Sequence, residues 1–104
     1  MIVEERNYSL QTGKVKAYLE LLETEGLAIQ QKFLGTLLGY FTAESGALNQ
    51  VVHMWGFDTF EDRQARRTAL WEDAEWNAYA ERILPLIVKM ENRFLIPTSF
   101  SPIR

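Results

Sequence analysis

The chain has no cysteine, one histidine (His53) and three prolines among 104 residues. Without cysteine there is no disulfide, no thiolate zinc or iron–sulfur site and no thiol nucleophile. A lone histidine removes any multi-histidine metal site built within one chain, and a haem ligand would have only His53 to rest on. Positive charge is also short: 11 Lys and Arg against 14 Asp and Glu leave a net charge of −3, which argues against nucleic acid as a partner. No run approaches the ~18–20 apolar residues of a membrane span, so no membrane partner is expected. Phosphate-cradling glycine loops, GxGxxG, the Walker pattern and the G-x-S-x-G elbow are missing, which disfavours nucleotide and serine-hydrolase chemistry. The start, MIVEERNYSL, carries Glu4, Glu5 and Arg6 early, unlike a basic-then-apolar secretory signal. The expected location is cytoplasmic.

What is present suffices for one core: 47% of residues are hydrophobic and 12% aromatic. The expectation is a single domain over 1–104, with its core in about 1–96 and a tail, PTSFSPIR, at 97–104. Residues 2–10 alternate with period two, a strand in which Glu4, Arg6, Tyr8 and Leu10 share one side. Thr12-Gly13 opens a helix that Thr12 can cap. Val15, Tyr18, Leu19, Leu22 and Ile29 form its apolar stripe, and Gly26 is expected to bend or break it. Residues 35–44 and 49–57 read as two strands of a hairpin. Gly39 inside the first hints at a bulge or a close backbone approach. Asp58 with Glu61 resembles a capping box, and Asp73 caps again before Trp76. Pro85 stops that helix, and 87–96 form the fourth strand.

The order βαββαβ specifies the ferredoxin-like α+β arrangement: one antiparallel sheet with two helices on one face. The third strand is apolar on both sides, with Val51, His53, Trp55 and Phe57 against Val52 and Met54. The fourth also reads as two-faced, with Val88, Met90, Phe94 and Ile96 against Leu95. A sheet apolar on its uncovered face calls for a second copy, so a homodimer with two sheets facing each other as a barrel is expected.

EERNYSLQTGKVKAYL and LLGYFTAESGALNQVVHMWGFDTFEDRQARRTAL resemble the NIPSNAP family over nearly the whole chain. The matching positions are Glu4 or Glu5, Arg6, Tyr8, Thr12-Gly13, Gly39, Glu44, Gly46, Leu48-Asn49, His53, Trp55, Arg63 and Arg67. The resemblance implies a dimeric α+β barrel and no settled activity. Animal relatives are linked with mitochondria and with interaction or signalling roles. No mitochondrial presequence is expected here, so those roles are not carried over. By fold analogy alone, more distant relatives include cofactor-independent monooxygenases, haem-degrading enzymes and small-molecule isomerases.

The sharpest constellation is Glu44, Asn49, His53 and Trp55 around the hairpin. Even offsets put Asn49, His53 and Trp55 on one strand face, where an amide, an imidazole and an indole N–H can orient a small carbonyl or phenol. His53 would be the catalytic base, with Asn49 and Trp55 assisting. The plainer account has Glu44 and Asn49 closing the hairpin while His53 and Trp55 pack in the core. Arg63 and Arg67, one helical turn apart, can clamp a carboxylate or phosphate, or can pair with neighbouring acids such as Glu4. Arg6 and Tyr8 face the same way on the first strand, and Tyr8 should reach His53. Ligand contacts are therefore expected from Arg6, Tyr8, Glu44, Arg63 and Arg67, with no metal and no cofactor.

Two functions follow. One is a small-molecule site, with a pocket of roughly 300 Å³ or more between sheet and helices reaching His53, and turnover of the oxygenase or isomerase type. The other is a non-enzymatic homodimeric interaction module in which Phe100 and Ile103 of the tail dock on the partner.

Overall fold

The alternating start forms β1 (Ile2–Leu10), and the computed structural model describes all 104 residues. The first helix begins at Val15 with Lys14 as its cap residue and no side-chain cap, so Thr12 does not play the capping part expected of it. α1 (Val15–Leu21) runs through a π-helical turn (Leu22–Gly26) into α2 (Leu27–Leu34). The expected break at Gly26 is thus a widening: the chain stays helical but takes an extra residue in that turn. Its effect on phase is large. The buried positions become Tyr18, Leu22, Gly26, Gln30 and Leu34, every fourth residue, and Ile29 is left only half-buried. A Cβ at Gly26 would overlap the Tyr79 ring, so the close approach of the two helical layers requires glycine there.

Gly35, at φ 89°, turns the chain out of α2, and Arg66 Nη1 donates to the Phe33 carbonyl (3.3 Å). β2 (Thr36–Thr42) and β3 (Gln50–Phe57) follow, with a register shift between Leu37 and Gly39. The bulge expected at Gly39 is therefore present, and the Phe41 ring lies where a Cβ of Gly39 would sit. Thr59 caps α3 (Phe60–Glu72), its Oγ1 accepting from the Asp62 amide at 3.0 Å, one residue beyond the expected Asp58. Asp73 caps α4 (Ala74–Ile83) as expected, accepting from the Trp76 amide at 2.9 Å. A 3-10 turn at Leu84–Leu86 holds Pro85 and delivers β4 (Ile87–Leu95).

All pairings are antiparallel, in the order β2-β3-β1-β4. The α+β, ferredoxin-like architecture read from the sequence is the architecture observed. No helix is long and apolar enough to cross a membrane. The register places three rows of side chains across the helix-covered face: Leu37–Trp55–Glu4–Phe94, Tyr40–His53–Arg6–Asn92 and Thr42–Val51–Tyr8–Met90. Trp55, Val51, Leu70 and Tyr79 form the fully buried centre between sheet and helices.

The opposite face differs from expectation on β4. Lys89, Glu91 and Arg93 occupy it, with Lys89 paired to Glu91 and Arg93 to Glu5, whereas Met90 and Phe94 point to the helices. Apolar residues on that face are Leu38, Phe41, Val52 and Met54, with Val3, Leu95, Ile96 and Pro97 near the tail, where Ile103 folds back beside Val3 and Met54.

Gly26→Ala should lower unfolding stability in urea by about 1–3 kcal/mol, the usual range for overpacking. In a Tyr79→Ala background that cost should disappear, because the ring that crowds the position is gone.

Candidate functional site

Glu4 organises the site. It is 1% exposed at the middle of the sheet, and its carboxylate accepts four hydrogen bonds. Arg63 reaches down from α3 with Nε at 3.0 Å and Nη2 at 2.7 Å. Arg6 Nη1 donates from the same strand at 2.8 Å, and Asn92 Nδ2 donates from β4 at 2.9 Å. Burial opposes ionisation of Glu4, but Arg63, Asn92 and Arg6 outweigh it and hold its pKa at about 2. Arg63 therefore points at the sheet, pairing with Glu4 as the plainer reading of that residue has it.

The next row carries His53. Trp55 Nε1 donates to His53 Nδ1 at 2.9 Å. An indole can only donate, so Nδ1 must be the acceptor and the proton of the neutral ring sits on Nε2. Tyr40 stacks on the imidazole (4.5 Å, 11°) and the Tyr8 ring packs nearly perpendicular to it (4.8 Å, 80°). Burial and the neighbouring Arg6 push the His53 pKa down from 6.5 to about 3, with Glu4 pulling weakly the other way. His53, expected as a catalytic base, is thus a neutral ring whose Nδ1 lone pair is taken by Trp55 and whose Nε2 carries the proton.

Arg6 also donates from Nε to the Tyr8 hydroxyl (2.8 Å), which leaves the phenolic proton for another acceptor. Behind them the Tyr18 and Tyr40 hydroxyls share a 2.6 Å hydrogen bond, and burial raises both pKa values, Tyr40 further through its Tyr18 neighbour. Arg67 stands beside this group, half-buried and without an ion pair or hydrogen bond. Burial, then Arg6, lowers its pKa.

A cavity of about 40 Å³ lies between sheet and helices and reaches His53. Arg6, Tyr8, His53, Trp55 and Arg67 all line it, so five of the expected site residues converge. It is far smaller than the expected pocket, because Tyr18, Tyr79 and Trp76 occupy the space. At ~10–15 Å³ per water centre it has room for roughly three water-sized groups. Three buried polar atoms have no hydrogen-bond partner in the protein, His53 Nε2, Trp76 Nε1 and Gln30 Oε1, and all three residues line this cavity.

Two expected residues lie elsewhere. Glu44 is exposed in the loop between β2 and β3 and pairs with nothing. Asn49 precedes β3 with φ 62°, which takes it out of the strand's alternation and away from His53. Its carbonyl accepts from the Leu10 amide (2.8 Å) and its Oδ1 from the Gly13 amide (3.5 Å), so it ties two loops together. Sequence reasoning missed Gln30, Tyr40 and Asn92. Parity with Arg6 was the available signal for Asn92, whereas Gln30 and Tyr40 depend on the π turn and the bulge.

Sheet, helices and cavity together define a ferredoxin-like α+β domain with a small chamber under its helices, lined mostly by apolar side chains together with Arg6, Gln30, His53 and Arg67. A sequence profile of the NIPSNAP family matches residues 3–102, and the chain belongs to that family. It is similar to a NIPSNAP family protein of Agrobacterium tumefaciens, 50% identical, with a TM-score of 0.97 over 99% of this chain and 98% of that one. Another, from the same organism and described as of unknown function, is 41% identical with a TM-score of 0.98, covering 100% of this chain and 94% of that one. Protein NipSnap homolog 2 of Homo sapiens is 31% identical over 99% of this chain and 35% of that protein. Protein NipSnap homolog 1 of Danio rerio is 38% identical over 64% of this chain and 23% of its own length, so the chain spans about a quarter to a third of such relatives. A putative antibiotic biosynthesis monooxygenase from Nitrosomonas europaea shares the fold, with a TM-score of 0.66 at 13% identity over 93% of this chain and 98% of that one.

The pKa directions predict an acid profile. His53 titrates at 6.5 when unfolded and about 3 when folded, so its contribution is complete above pH 6.5 and lost as pH falls towards 3. Glu4 follows between 4.5 and about 2. Stability measured by urea titration should fall between pH 6.5 and 4.5 with a slope of up to ~1.4 kcal/mol per pH unit, and more steeply below pH 4.5 where Glu4 joins His53. His53→Phe should flatten the interval between pH 6.5 and 4.5, since this is the only histidine. A slope that survives the substitution would assign it to another group.

Proposed function

We propose that this domain binds a small organic molecule in the chamber between sheet and helices. The observation that carries the reading is the set of unpartnered polar atoms, His53 Nε2, Trp76 Nε1 and Gln30 Oε1, gathered at one cavity. Buried polar groups are nearly always paired, because an unsatisfied one costs about 1–3 kcal/mol, so three at a single cavity favour a partner that the chain does not itself supply. Trp71, Leu84 and Met90 line the same cavity and remain more than 40% exposed, which gives it an apolar mouth between the second helical layer and β4.

The chemistry available is polarisation. His53 Nε2–H and the Tyr8 hydroxyl can donate to a carbonyl or enolate oxygen in a site of low dielectric, with Arg6 and Arg67 stabilising negative charge that develops there. Fold likeness to the putative antibiotic biosynthesis monooxygenases supports an enzymatic use, of oxygenase or isomerase type. The test is native mass spectrometry of the purified protein with a thermal-shift screen of small acids, amides and phenols. A bound mass or a rise in Tm is expected. Ala80→Leu, whose added methyls enter the cavity, should fold at a cost of about 1–3 kcal/mol and lose the response. A silent wild type, or a variant that keeps the response, would remove the chamber as the site.

The uncovered sheet face favours a second reading, a homodimer. Phe41 is 54% exposed there, beside the half-buried Val52 and Met54. Ile103 already packs on its own sheet while Phe100 projects into solvent, so Phe100 is the tail residue left to reach a partner. Sedimentation should then give twice the chain mass, and Phe41→Glu should halve it. A wild-type monomer at micromolar concentration would discard this reading.

A further inference from the structure

The balance of groups around the chamber is lopsided in charge and in hydrogen-bonding sense. Arg6, Arg63 and Arg67 stand against a single carboxylate, Glu4, an excess of two positive charges in a site largely removed from water. Arg63 and Arg6 spend their charge on Glu4, and Arg67 has no counterpart. Glu72 borders the outer side of Arg67 in the shallow groove along α3 and makes no ion pair with it. A half-buried guanidinium without a counter-ion is an unfavourable arrangement that an anion would relieve. Two of the three unpartnered polar atoms, His53 Nε2 and Trp76 Nε1, are donors that suit an anion, whereas Gln30 Oε1 is an acceptor. A cationic ligand would face two guanidinium groups, and a neutral one would leave Arg67 unpaired.

Size narrows the choice. The chamber of about 40 Å³ takes roughly three water-sized groups, which fits the three heavy atoms of a carboxylate and not the five of a phosphate. Its mouth, by contrast, is apolar at Trp71, Leu84 and Met90, with Ile87 behind them.

We propose that the ligand is a monocarboxylic acid with an apolar body, its carboxylate seated between Arg67 and the His53 Nε2–H and its body lying at the mouth formed by Trp71, Leu84 and Met90. The proposal rests on the chamber being a ligand site and adds the ligand's chemical class. Arg67 is its charge anchor, His53 and Trp76 add neutral donors, and the Trp55 hydrogen bond keeps the His53 proton on the nitrogen that faces the ligand.

The test is calorimetric titration of the full chain with hexanoate, hexanamide and hexylamine, which share a body and differ in charge. Hexanoate should bind at least ~10-fold more tightly than hexanamide, as a charge-assisted pair requires, and hexylamine should not bind. Arg67→Met should bring hexanoate affinity down to that of hexanamide, erasing the advantage of the acid, with circular dichroism confirming the fold. Arg67→Gln gives the same comparison should the methionine variant fail to fold. Equal affinity for acid and amide in the wild type would overturn the carboxylate and leave the chamber as a site for neutral molecules. An acid preference that survives loss of Arg67 would overturn Arg67 as the anchor. No binding by any of the three would overturn the ligand class, while the chamber itself stands or falls by the Ala80→Leu comparison.

Discussion

The Glu4 carboxylate holds the site together because it collects donors from three separate elements. Arg6 comes from its own strand, Asn92 from β4 and Arg63 from α3. A carboxylate at this depth is tolerated only while those donors are in place, and losing one partner of a buried pair commonly costs 3–5 kcal/mol. The interaction therefore acts as a register pin. It holds α3 at the position where Arg63 reaches the sheet, which in turn sets Arg67, one turn further along, at the edge of the chamber. It also holds Arg6 in the row beside His53. With Arg6 and Arg63 both paired to Glu4, burial and the neighbouring Arg6 keep the imidazole neutral and Arg67 is left without a partner at the edge of the chamber.

Two neighbouring residues then decide what His53 can do. Trp55 fixes which nitrogen bears the proton, and burial beside Arg6 keeps the ring uncharged. The same residue in a wetter strand would be a base near neutral pH. Here it is a fixed dipole whose donor side is held at Nε2. Tyr40 and Tyr8 pack the ring from two sides, so its orientation does not depend on a ligand to set it.

Strand alternation made most of the fold legible. The period of two in residues 2–10 and 50–57 put Arg6, Tyr8, His53 and Trp55 on one face, and the βαββαβ order brought the two strands side by side. What was illegible lies where the backbone departs from a regular period. Simple alternation from Leu37 points Tyr40 away from the helices, and the bulge before Gly39 reverses it onto His53. Ordinary helical spacing selects Ile29 as the inward residue, and the π turn selects Gln30. Asn49 fails for a related reason: its positive φ ends the alternation one residue before the strand starts. Arg63 was ambiguous on different grounds, since on an exposed helix it has acids within reach on its own turn, and only the sheet register shows that Glu4 outcompetes them. The fourth strand was misread because Met90 and Phe94 share the helix-facing parity, leaving charged residues for the other side.

The wide turn at Leu22–Gly26 makes the length of the first helical layer a fixed quantity. Inward positions recur every fourth residue from Tyr18 to Leu34 only because this turn absorbs the drift that regular helix would accumulate. Deleting one residue from it would restore uniform pitch and rotate everything downstream by about 100°. Gln30 would leave the chamber, Leu34 would leave the core, and the Tyr79 ring would lose its glycine seat. Gly26 and the buried Leu22 apart, substitutions in this segment are therefore easier to accommodate than insertions or deletions: its three exposed side chains can change, while its residue count is held by geometry.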